Sequence, residues 1–482
     1  MSDNGHVYEL MVPGAISNAP NREVYAPFDG SYIASVAGAD LQTVEKALDN
    51  AYKLFRDKKS WIPKYKRIQI LSKTAELMRA DINGLALEAA REGGKPLADS
   101  IIEVERAISS IEVCVDVLKT ESGEVIPMNI NLASANRIAM TQPEPIGVVV
   151  AVSAFNHPLN LIAHQVGPAL AAGCPVIVKP AEDTPLSCMR FVELLLKAGL
   201  PEGWCQAVVT ENLDAAQALV TDRRVSFFSF IGSPGVGWKL RSLLAPGTRC
   251  ALEHGGAAPA IITNDADMNS VLEGILKGGF YHAGQVCVSV QRVFVDKTKV
   301  NEFATNLSEK ASKLIVGDPT KPETQVGPLI RNDEVRRVHE WVKEAEEAGA
   351  KILTGGEYIS DSCYQPTVIL NAPDNVNVLN KEIFGPVVCI NSYDNIDNAI
   401  SKANDLPFAF QASIFTSNID LAMKAYSEFD ASAVMINDHT AFRVDWMPFA
   451  GCRQSGHGVG GIPYTIHEMQ THKMMVLKSR NL

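Results

Sequence analysis

Residues 147–179 read GVVVAVSAFNHPLNLIAHQVGPALAAGCPVIVK, and this stretch decides the fold. A run of β-branched residues, GVVVAV, is followed by an apolar helical segment, PLNLIAHQVGPALAAG, and then by a second such run, PVIVK. Both runs are apolar along their whole length, which is typical of parallel strands that are covered on both faces. The stretch therefore predicts a strand–helix–strand unit of a parallel sheet.

The alternation of strands and helices continues downstream in two blocks. The first block adds the helix PLSCMRFVELLLKAG and the strands WCQAVV, VSFFSFI and RCALE. A second block begins near Ala258 and includes the strands RVFVD, PTVIL, PVVCINSY, ASIFT and ASAVMIND. The chain is therefore predicted to be an α/β protein with two parallel sheets. Such sheets bind ligands beyond the carboxyl ends of their strands, where we expect the chemistry to lie.

The flanking segments predict helices, a hairpin and a terminal strand. From Val44 to about Leu118 apolar residues recur at three- and four-residue spacing, in VEKALDNAYKLF, IQILSKTAELMRADINGLALEAAREGG and IIEVERAISSIEVCVDVL. Gly93–Gly94 is expected to end the second of these helices. Residues from about 123 to 142 alternate like a strand and contain turn residues, which predicts an extended hairpin outside the main body. The tail, THKMMVLKS, is predicted to be a strand that pairs outside its own domain.

The composition argues against several classes of protein. The 482 residues carry 44 basic and 55 acidic side chains, a net charge of −11, which is unfavourable for binding nucleic acid. The longest apolar stretch, IGVVVAVSAF, is about half the length that a membrane helix needs, and no signal peptide is visible. The nine cysteines form no Cys-x-x-Cys pair, so neither a disulfide framework nor a metal site is predicted. A reducing cytoplasm is the expected location.

A series of local motifs carries a family resemblance. In chain order they are SAFNHPLN, VIVKPAEDTP, FIGSPGVG, ALEHGG, AGQVCVSVQR, EIFGPV and MPFAGCRQSGHG. Together they resemble the aldehyde dehydrogenase superfamily over nearly the whole chain. The segments FNHPLNL, GQVCVSVQR and INDHTAFRVDWMPFAG are most similar to the branch of lactaldehyde and phosphonoacetaldehyde dehydrogenases. The resemblance implies an NAD(P)-dependent enzyme that oxidises an aldehyde to its carboxylic acid.

The resemblance also implies how the chain is divided. Residues 1–122 and 144–254 are expected to form an NAD(P)-binding domain, and residues 255–455 a catalytic domain. Residues 123–143 and 463–482 are expected to form a small β oligomerisation element. A homodimer or homotetramer follows from this arrangement, because a hairpin alone is only marginally stable in water.

Three residues are assigned the chemistry by this resemblance. Cys287, flanked by small residues in GQVCVS, is the nucleophile, which attacks as a thiolate and forms a thiohemiacetal and then a thioester. Asn156 stands before Pro158, which is expected to open a helix, and its amide holds the developing oxyanion together with the backbone N–H of the nucleophile. Glu253, at the end of the strand RCALE, is the base that activates water. From the residues alone, the same positions suit a buried structural cysteine, a helix cap and an exposed strand-end carboxylate.

A glycine-rich turn is the expected site of the cofactor's phosphates. GSPGVG, from Gly232 to Gly237, follows a strand and opens a helix, where free backbone N–H groups favour a phosphate. The resemblance assigns the contact with the pyrophosphate to Ser233. The turn departs from the G-x-G-x-x-G fingerprint and would be weak evidence by itself.

Five further residues are expected to bind the rest of the cofactor. By resemblance, Lys179 and Glu182 hold the adenosine ribose, and Glu382 holds the nicotinamide ribose. Phe384 and Phe155 are expected beside the nicotinamide ring. A carboxylate at position 182 would accept a hydrogen bond from a 2′-hydroxyl and repel a 2′-phosphate, which favours NAD over NADP.

Two residues bear on the substrate. Arg106, on the helix IIEVERAIS, and His157, beside the assigned amide, are expected to face the substrate mouth and together to hold an anionic tail. Val286 precedes the nucleophile where anion-specific relatives often carry arginine, which argues against this expectation. The substrate is accordingly predicted to be a small aldehyde, with an anionic one as the specific hypothesis.

Three alternative functions remain open from the sequence. A coenzyme A-acylating aldehyde dehydrogenase is disfavoured because such relatives lack the base that Glu253 supplies. A cysteine hydrolase would pair Cys287 with a histidine such as His282 or His254, but it leaves the cofactor motifs without a purpose. A non-catalytic binding protein of the same fold would be expected to have lost one of the three catalytic residues.

Overall fold

The computed structural model describes residues 6–482. The amino-terminal part consists of short strands and four helices: β1 (Val7–Tyr8), β2 (Arg22–Tyr25), β3 (Tyr32–Val36), β4 (Gly38–Ala39), α1 (Leu41–Arg56), α2 (Lys64–Ala80), α3 (Ile82–Gly93), α4 (Leu97–Thr120), β5 (Val125–Ile126) and β6 (Arg137–Pro145). The first alternating block follows: β7 (Val148–Val152), α5 (Asn160–Ala172), β8 (Val176–Lys179), α6 (Leu186–Lys197), β9 (Cys205–Ala207), β10 (Val209–Thr210), α7 (Leu213–Thr221), β11 (Val225–Ile231), α8 (Pro234–Ser242) and β12 (Arg249–Glu253).

The second block and the carboxyl-terminal part complete the chain. The second block comprises β13 (Ala258–Ile262), α9 (Met268–Phe280), β14 (Val290–Asp296), α10 (Val300–Ala311), α11 (Asn332–Glu347), β15 (Lys351–Thr354), β16 (Thr367–Leu370), α12 (Asn377–Asn380), β17 (Val387–Tyr393), α13 (Ile396–Asn404), β18 (Phe408–Ala409), β19 (Gln411–Phe415), α14 (Ile419–Glu428) and β20 (Ala433–Ile436). The last elements are β21 (Cys452–Arg453), β22 (Gly456–His457), α15 (Ile462–Glu468) and β23 (Gln470–Lys478).

Two mainly parallel sheets organise these elements, as the strand runs predict. The first has the order β22-β12-β11-β7-β8-β9, and its strands are parallel except for β22. The second has the order β15-β16-β17-β14-β13-β19-β20, and its strands are parallel except for β15. Because β7, β8, β11 and β12 run in one direction, the residues that follow them meet at one edge of the first sheet.

Burial explains why the opening strand–helix–strand unit forms. Val149, Val150 and Ala151 of β7 are fully buried, and every residue of α5 is buried as well. A helix that is covered on all sides is expected to be mainly apolar, as α5 is, and its buried polar side chains Asn160, His164 and Gln165 need hydrogen-bond partners inside the protein. Burying a Val or Leu side chain contributes about 1.5–3 kcal/mol, so this unit is a large part of the core.

A small three-stranded sheet joins the two distant segments expected to form the oligomerisation element. β6 lies between β5 and β23, and β6 pairs with β23 in antiparallel register from Arg137–Lys478 to Pro145–Gln470. Helix α15 belongs elsewhere, because Ile462 and Ile466 pack in the same core as α4 and α5. The boundaries of the three domains stay a prediction.

One predicted helix is interrupted. The stretch IQILSKTAELMRADINGLALEAAREGG forms α2 and α3, with a break at Asp81, which has φ −128° and ψ 32°. The carboxylate of Asp81 pairs with Arg190 of α6 (Oδ2–Nη2 2.7 Å) and lies over the first turn of α3. There, a Cβ on Gly84 would be 2.3 Å from Oδ1 of Asp81, so a side chain at this position would displace the carboxylate. Gly94 ends α3 in the left-handed conformation (φ +73°), as predicted.

Candidate active site

A cleft of about 580 Å³ lies between the two sheets. On one side it is closed by residues that follow the carboxyl ends of β7, β11 and β12. On the other side it is closed by loops that precede the amino ends of β14 and β17. Most of the residues singled out from the sequence line this cleft: Arg106, Phe155, Asn156, His157, Gly232, Ser233, Glu253, Cys287, Glu382 and Phe384. Lys179, Glu182 and Gly237 are not part of its lining.

Cys287 is presented by a strained turn. His282, Ala283 and Gly284 have φ values of 48°, 54° and 71°, a conformation that costs energy for the two residues that are not glycine. A Cβ on Gly284 would lie 2.1 Å from the carbonyl oxygen of Gly385, so this position requires glycine. The turn places the half-buried thiol of Cys287 in the cleft rather than inside the core.

The surroundings of Cys287 keep its thiol protonated. Burial raises the pKa of the thiol to about 12. The guanidinium of Arg443 acts against this rise, whereas the carboxylates of Glu382 and Glu253 add to it. The thiolate that attacks a carbonyl is therefore favoured by Arg443, a residue that the sequence analysis did not single out.

Asn156 points at the cysteine loop. Its side-chain Nδ2 donates to the backbone carbonyl of Gln285, two residues before the cysteine, at 2.9 Å. The prediction that Pro158 opens the helix is wrong, and so is the helix-cap interpretation of Asn156, because α5 begins at Asn160. Instead, the carboxylate of Glu103 accepts hydrogen bonds from the first N–H groups of α5. The amide of Asn156 is therefore not used to cap α5 and is held instead against the cysteine loop, at the edge of the cleft.

Glu253 is the last residue of β12, as the sequence predicts, but it is not an exposed strand-end carboxylate. Burial raises the pKa of its carboxyl group, and Arg443 lowers it again in part. Gly460 approaches it closely, since a Cβ on Gly460 would lie 2.2 Å from Oε1 of Glu253. A partly desolvated carboxylate of this kind is suited to accept a proton near neutral pH.

The opposite wall of the cleft carries Glu382 and a pair of aromatic rings. Burial raises the pKa of Glu382 to about 8, and its Oε1 accepts the backbone N–H of Gly256 at 3.2 Å. The rings of Phe155 and Phe384 meet edge to face with their centroids 5.8 Å apart. A carboxyl group that can accept from ribose hydroxyls thus lies on the same wall of the cleft as two aromatic rings, which fits a nicotinamide riboside.

The amino end of α8 is a free anion-binding position. Ser233 is its N-cap residue, its side chain makes no capping hydrogen bond, and Pro234 follows at the first helical position. Gly232, Ser233 and Val236 line the cleft, so the unpaired N–H groups expected in this first turn lie beside it, which fits a pyrophosphate. Gly237 lies further along the helix and has a packing role, since a Cβ there would be 2.0 Å from Cε1 of His254.

Lys179 and Glu182 lie beyond the end of β8, beside the cleft. Lys179 is buried, and its Nζ is 3.8 Å from Oε1 of Glu182. Arg22 of β2 also contacts this carboxylate, with Nη2 3.2 Å from Oε2. Arg22 could not be predicted from the sequence, because it lies 160 positions before Glu182 in the chain. The carboxylate therefore has two cationic neighbours and is less repulsive to a phosphate than it would be alone.

Arg106 and His157 are both held by protein groups. The guanidinium of Arg106 binds Asp445 through Nε (3.1 Å) and Nη2 (2.6 Å), and Asp445 also accepts from Nε2 of His164 at 2.7 Å. His157 lies 3.3 Å from the hydroxyl of Tyr281. Arg106 is therefore an already paired cation rather than a free one.

Like Arg337, whose buried Nη1 has no partner in residues 6–482, Arg443 lines the cleft with a donor that is not used. Its Nε is buried and has no hydrogen-bond partner in residues 6–482, while Nη2 donates to Nδ1 of His164 at 3.2 Å. Its guanidinium lies 3.5 Å from the ring centroid of Phe449. Burial lowers the pKa of His164 to about 4, so this ring is neutral. It accepts from Arg443 at Nδ1 and donates to Asp445 at Nε2, and so it connects the two side chains.

The histidines considered for a cysteine hydrolase are unsuited to that role. Nδ1 of His254 donates to the carbonyl of Gly232 at 2.8 Å. His282 is fully buried, and burial lowers its pKa well below the usual range. Across the described part of the chain, no group of three or more His, Cys, Asp or Glu side chains is arranged to hold a metal ion. Nor does any helix within those residues have the length and apolar character needed to cross a membrane.

Comparison with known proteins identifies the family. A model of the aldehyde dehydrogenase family matches residues 16–475, and the chain belongs to this family. A 3-sulfolactaldehyde dehydrogenase of Priestia aryabhattai is 39% identical, with 98% of each chain covered. A lactaldehyde dehydrogenase of Methanocaldococcus jannaschii is 32% identical over 97% of this chain and 100% of that one. The predicted family and branch are confirmed.

Solved structures agree with the fold. Aldehyde dehydrogenase 21 of Physcomitrella patens, in complex with the reaction product succinate, has a TM-score of 0.94 at 31% identity, with 98% of each chain covered. A glyceraldehyde-3-phosphate dehydrogenase of Methanocaldococcus jannaschii complexed with NADP has a TM-score of 0.91 at 31% identity, covering 96% of this chain and 100% of that one. An NAD-dependent aldehyde dehydrogenase of Sinorhizobium meliloti has a TM-score of 0.93 at 28% identity, covering 98% of this chain and 95% of that one. The predicted fold class and NAD(P) dependence are confirmed, and the coenzyme A-acylating alternative is not supported.

Proposed function

We propose that this NAD(P)-dependent aldehyde dehydrogenase oxidises a short aldehyde with an anionic far end, through a thioester on Cys287. The observation that carries the proposal is the buried, unpartnered Nε of Arg443 in the cleft that also holds Cys287. A buried donor without a partner is costly, and a substrate anion would remove that cost.

The first step is the attack of Cys287 on the aldehyde. The thiol loses its proton to water, the sulfur bonds to the aldehyde carbon, and the carbonyl oxygen takes the negative charge. The amide of Asn156 releases the carbonyl of Gln285 and donates to this oxygen together with the backbone N–H of Cys287. NAD or NADP, held by Ser233 and Glu382, would supply the acceptor for the hydride of that carbon, and loss of the hydride leaves a thioester on Cys287.

Release of the acid depends on Glu253. Its buried carboxylate takes a proton from water, the resulting hydroxide attacks the thioester carbon, and the carbon–sulfur bond breaks. Burial raises the pKa of Glu253, which brings the carboxylate closer to the basicity that this step needs. Hydrolysis rather than transfer to coenzyme A is therefore the proposed end of the reaction.

The far end of the substrate is assigned to Arg443. A carboxylate, sulfonate or phosphonate would receive the free Nε–H, and the neutral His164 on the other side adds no competing charge. The names of two similar proteins are consistent with this chemistry, since a sulfolactaldehyde carries a sulfonate and succinate is the product of a carboxylate-bearing aldehyde. Arg106 would act indirectly, by holding Asp445, and His157 would line the pocket.

Both NAD and NADP are proposed to bind this enzyme and to accept the hydride. Glu182 accepts from the 2′-hydroxyl of NAD, while Arg22 and Lys179 offset the repulsion between this carboxylate and the 2′-phosphate of NADP. The pyrophosphate is assigned to the amino end of α8 at Ser233, and the nicotinamide riboside to Glu382 and the two phenylalanines.

We further propose that the small sheet joins two copies of this chain. Its strand β23 exposes a continuous apolar run, Met474 to Leu477, of which Met474 is 56% exposed. Exposed apolar patches of this kind usually mark an interface between proteins. A homodimer or homotetramer in the cytoplasm is consistent with this surface and with nine unpaired cysteines.

Initial rates with paired aldehydes test the proposal. Succinic semialdehyde and butanal have the same number of carbons and differ in one carboxylate, and reduction of NAD and NADP is followed for each, with and without coenzyme A. We expect kcat/KM to be at least about tenfold higher for the anionic aldehyde, and no acyl-coenzyme A to form. Equal kcat/KM values for the pair would overturn the anionic substrate, and acyl-coenzyme A would overturn the hydrolytic end.

A further inference from the structure

A buried polar stripe runs along α4 towards the proposed active site. Asp99, Glu103, Arg106 and Ser110 follow one another at spacings of four, three and four, which places them on one face of the helix. Each reaches a different neighbour. Asp99 pairs with Lys277 at 2.8 Å, Arg106 with Asp445 as described, and Ser110 lies 3.4 Å from Oδ1 of Asn160. Glu103 is the only member of the stripe that contacts the backbone just after Asn156.

Glu103 holds the beginning of α5. Its Oε1 accepts the backbone N–H groups of Leu159 at 2.9 Å and Asn160 at 3.0 Å. Its Oε2 forms an ion pair with Nζ of Lys95, and neither side chain is exposed. A carboxylate at a helix amino end makes charge-assisted hydrogen bonds that also benefit from the helix dipole.

The segment between this contact and Asn156 is short and stiff. Only His157 and Pro158 separate Asn156 from Leu159, and proline fixes its own φ. The carbonyl of His157 accepts the N–H of Leu161 at 3.0 Å, so the segment is continuous with the first turn of α5. A shift of that turn would therefore move the amide of Asn156 relative to Cys287.

We propose that Glu103 is a positioning residue that fixes the amide of Asn156 for the oxyanion. The inference rests on the role proposed above for Asn156. A buried ion pair such as Lys95–Glu103 is a weak source of stability, because desolvation offsets most of the attraction. Its geometry is better explained by the positioning of α5. One carboxylate oxygen accepts the N–H groups of Leu159 and Asn160, and the other pairs with Lys95.

A double-mutant cycle separates positioning from general stability. The variants are Glu103→Gln, Asn156→Ala and the double variant, and the readout is the single-turnover rate of hydride transfer at saturating NAD and aldehyde. We expect Glu103→Gln alone to slow this rate about 10- to 100-fold, because small displacements of an oxyanion donor have effects of that size. In the Asn156→Ala background the same change should slow it by no more than about twofold, because the two residues act through one interaction.

A matched control is available in the same domain. Glu92 is another fully buried carboxylate, and it accepts the backbone N–H groups of Leu186 (2.7 Å) and Ser187 (2.8 Å) at the start of α6. Glu92→Gln alters an equally buried carboxyl group at a helix start and should lower the melting temperature, although burial raises the pKa of Glu92 to about 8 and no counter-ion like Lys95 pairs with it within residues 6–482. The single-turnover rate at saturating NAD should stay within about twofold of the wild type. A larger loss would show that any such buried change slows the reaction, and the inference would fail.

The outcomes are distinct. If Asn156→Ala leaves the single-turnover rate unchanged, the role proposed for Asn156 fails. If Asn156→Ala slows the reaction but Glu103→Gln adds its full loss in that background, the proposed function stands and Glu103 is not a positioning residue. Should Glu103→Gln not fold, the variant Lys95→Met/Glu103→Gln, which leaves no unpaired buried charge, takes its place in the cycle.

Discussion

Replacement of Arg443 by methionine should abolish the preference for anionic aldehydes. Methionine keeps the apolar contact with Phe449 and removes the guanidinium. A hydrogen bond to a charged group contributes about 1.5–3 kcal/mol, and each ~1.36 kcal/mol is a factor of ten. Two unit charges about 4 Å apart attract by ~4 kcal/mol at an effective dielectric constant of about 20, part of which is lost to desolvation. The ratio of kcat/KM for succinic semialdehyde over butanal should therefore fall about 10- to 150-fold.

The ratio is the quantity to measure, because Arg443 also acts on the nucleophile. Its guanidinium lowers the pKa of Cys287, so its loss leaves the thiol less ionised and slows every aldehyde. This common effect cancels when the two substrates are compared in one variant. Arg443→Lys retains a positive charge and serves as the control, with a smaller fall in the ratio. A ratio that stays at the wild-type value in Arg443→Met would refute the assignment of the anion to this residue.

Three further outcomes are expected. The rate at which iodoacetamide alkylates Cys287 should increase continuously from pH 7 to pH 10, because only the thiolate reacts and burial raises the pKa of the thiol to about 12. A rate that levels off below pH 8 would contradict this expectation. Arg22→Ala should lower kcat/KM for NADP about fivefold relative to NAD, the equivalent of ~1 kcal/mol, because Glu182 then meets the 2′-phosphate with one cation fewer; an unchanged ratio in steady-state assays would be evidence against it. Met475→Glu places a charge on the apolar face of β23 and should shift the enzyme towards monomers in sedimentation; wild-type sedimentation would mean that the interface lies elsewhere.

The strands and the main helices could be predicted because their signals are local. Runs of buried β-branched residues identify β7 and β8, and a buried run of phenylalanines between Val225 and Ile231 identifies β11; these signals depend on burial rather than on distant partners. The break at Asp81 had no such signal. At the break, Asp81 pairs with Arg190, more than a hundred residues away, and its carboxylate lies over Gly84, contacts that the local sequence does not show.

The residues of the site also fall into those that local motifs predict and those that only the fold brings together. Cys287, Glu253 and Asn156 stand in motifs that can be recognised along the chain, and the structure places all three in one cleft. Arg443 was missed because it lies in a segment without regular periodicity, and its free Nε depends on which neighbours the fold supplies. Glu103 was missed because nothing in the sequence shows that a helix position 53 residues before Asn156 reaches the start of α5.

The central claim is that a thioester forms on Cys287 and that Glu253 removes it. Glu253→Gln, mixed with saturating NAD and succinic semialdehyde, should give a stoichiometric burst of reduced nicotinamide followed by slow turnover. Trypsin should then release the peptide GGFYHAGQVCVSVQR, residues 278–292, with the mass of one added acyl group, since Lys277 and Arg292 flank it. A burst without acyl mass on this peptide, or with that mass on another cysteine, would contradict the account.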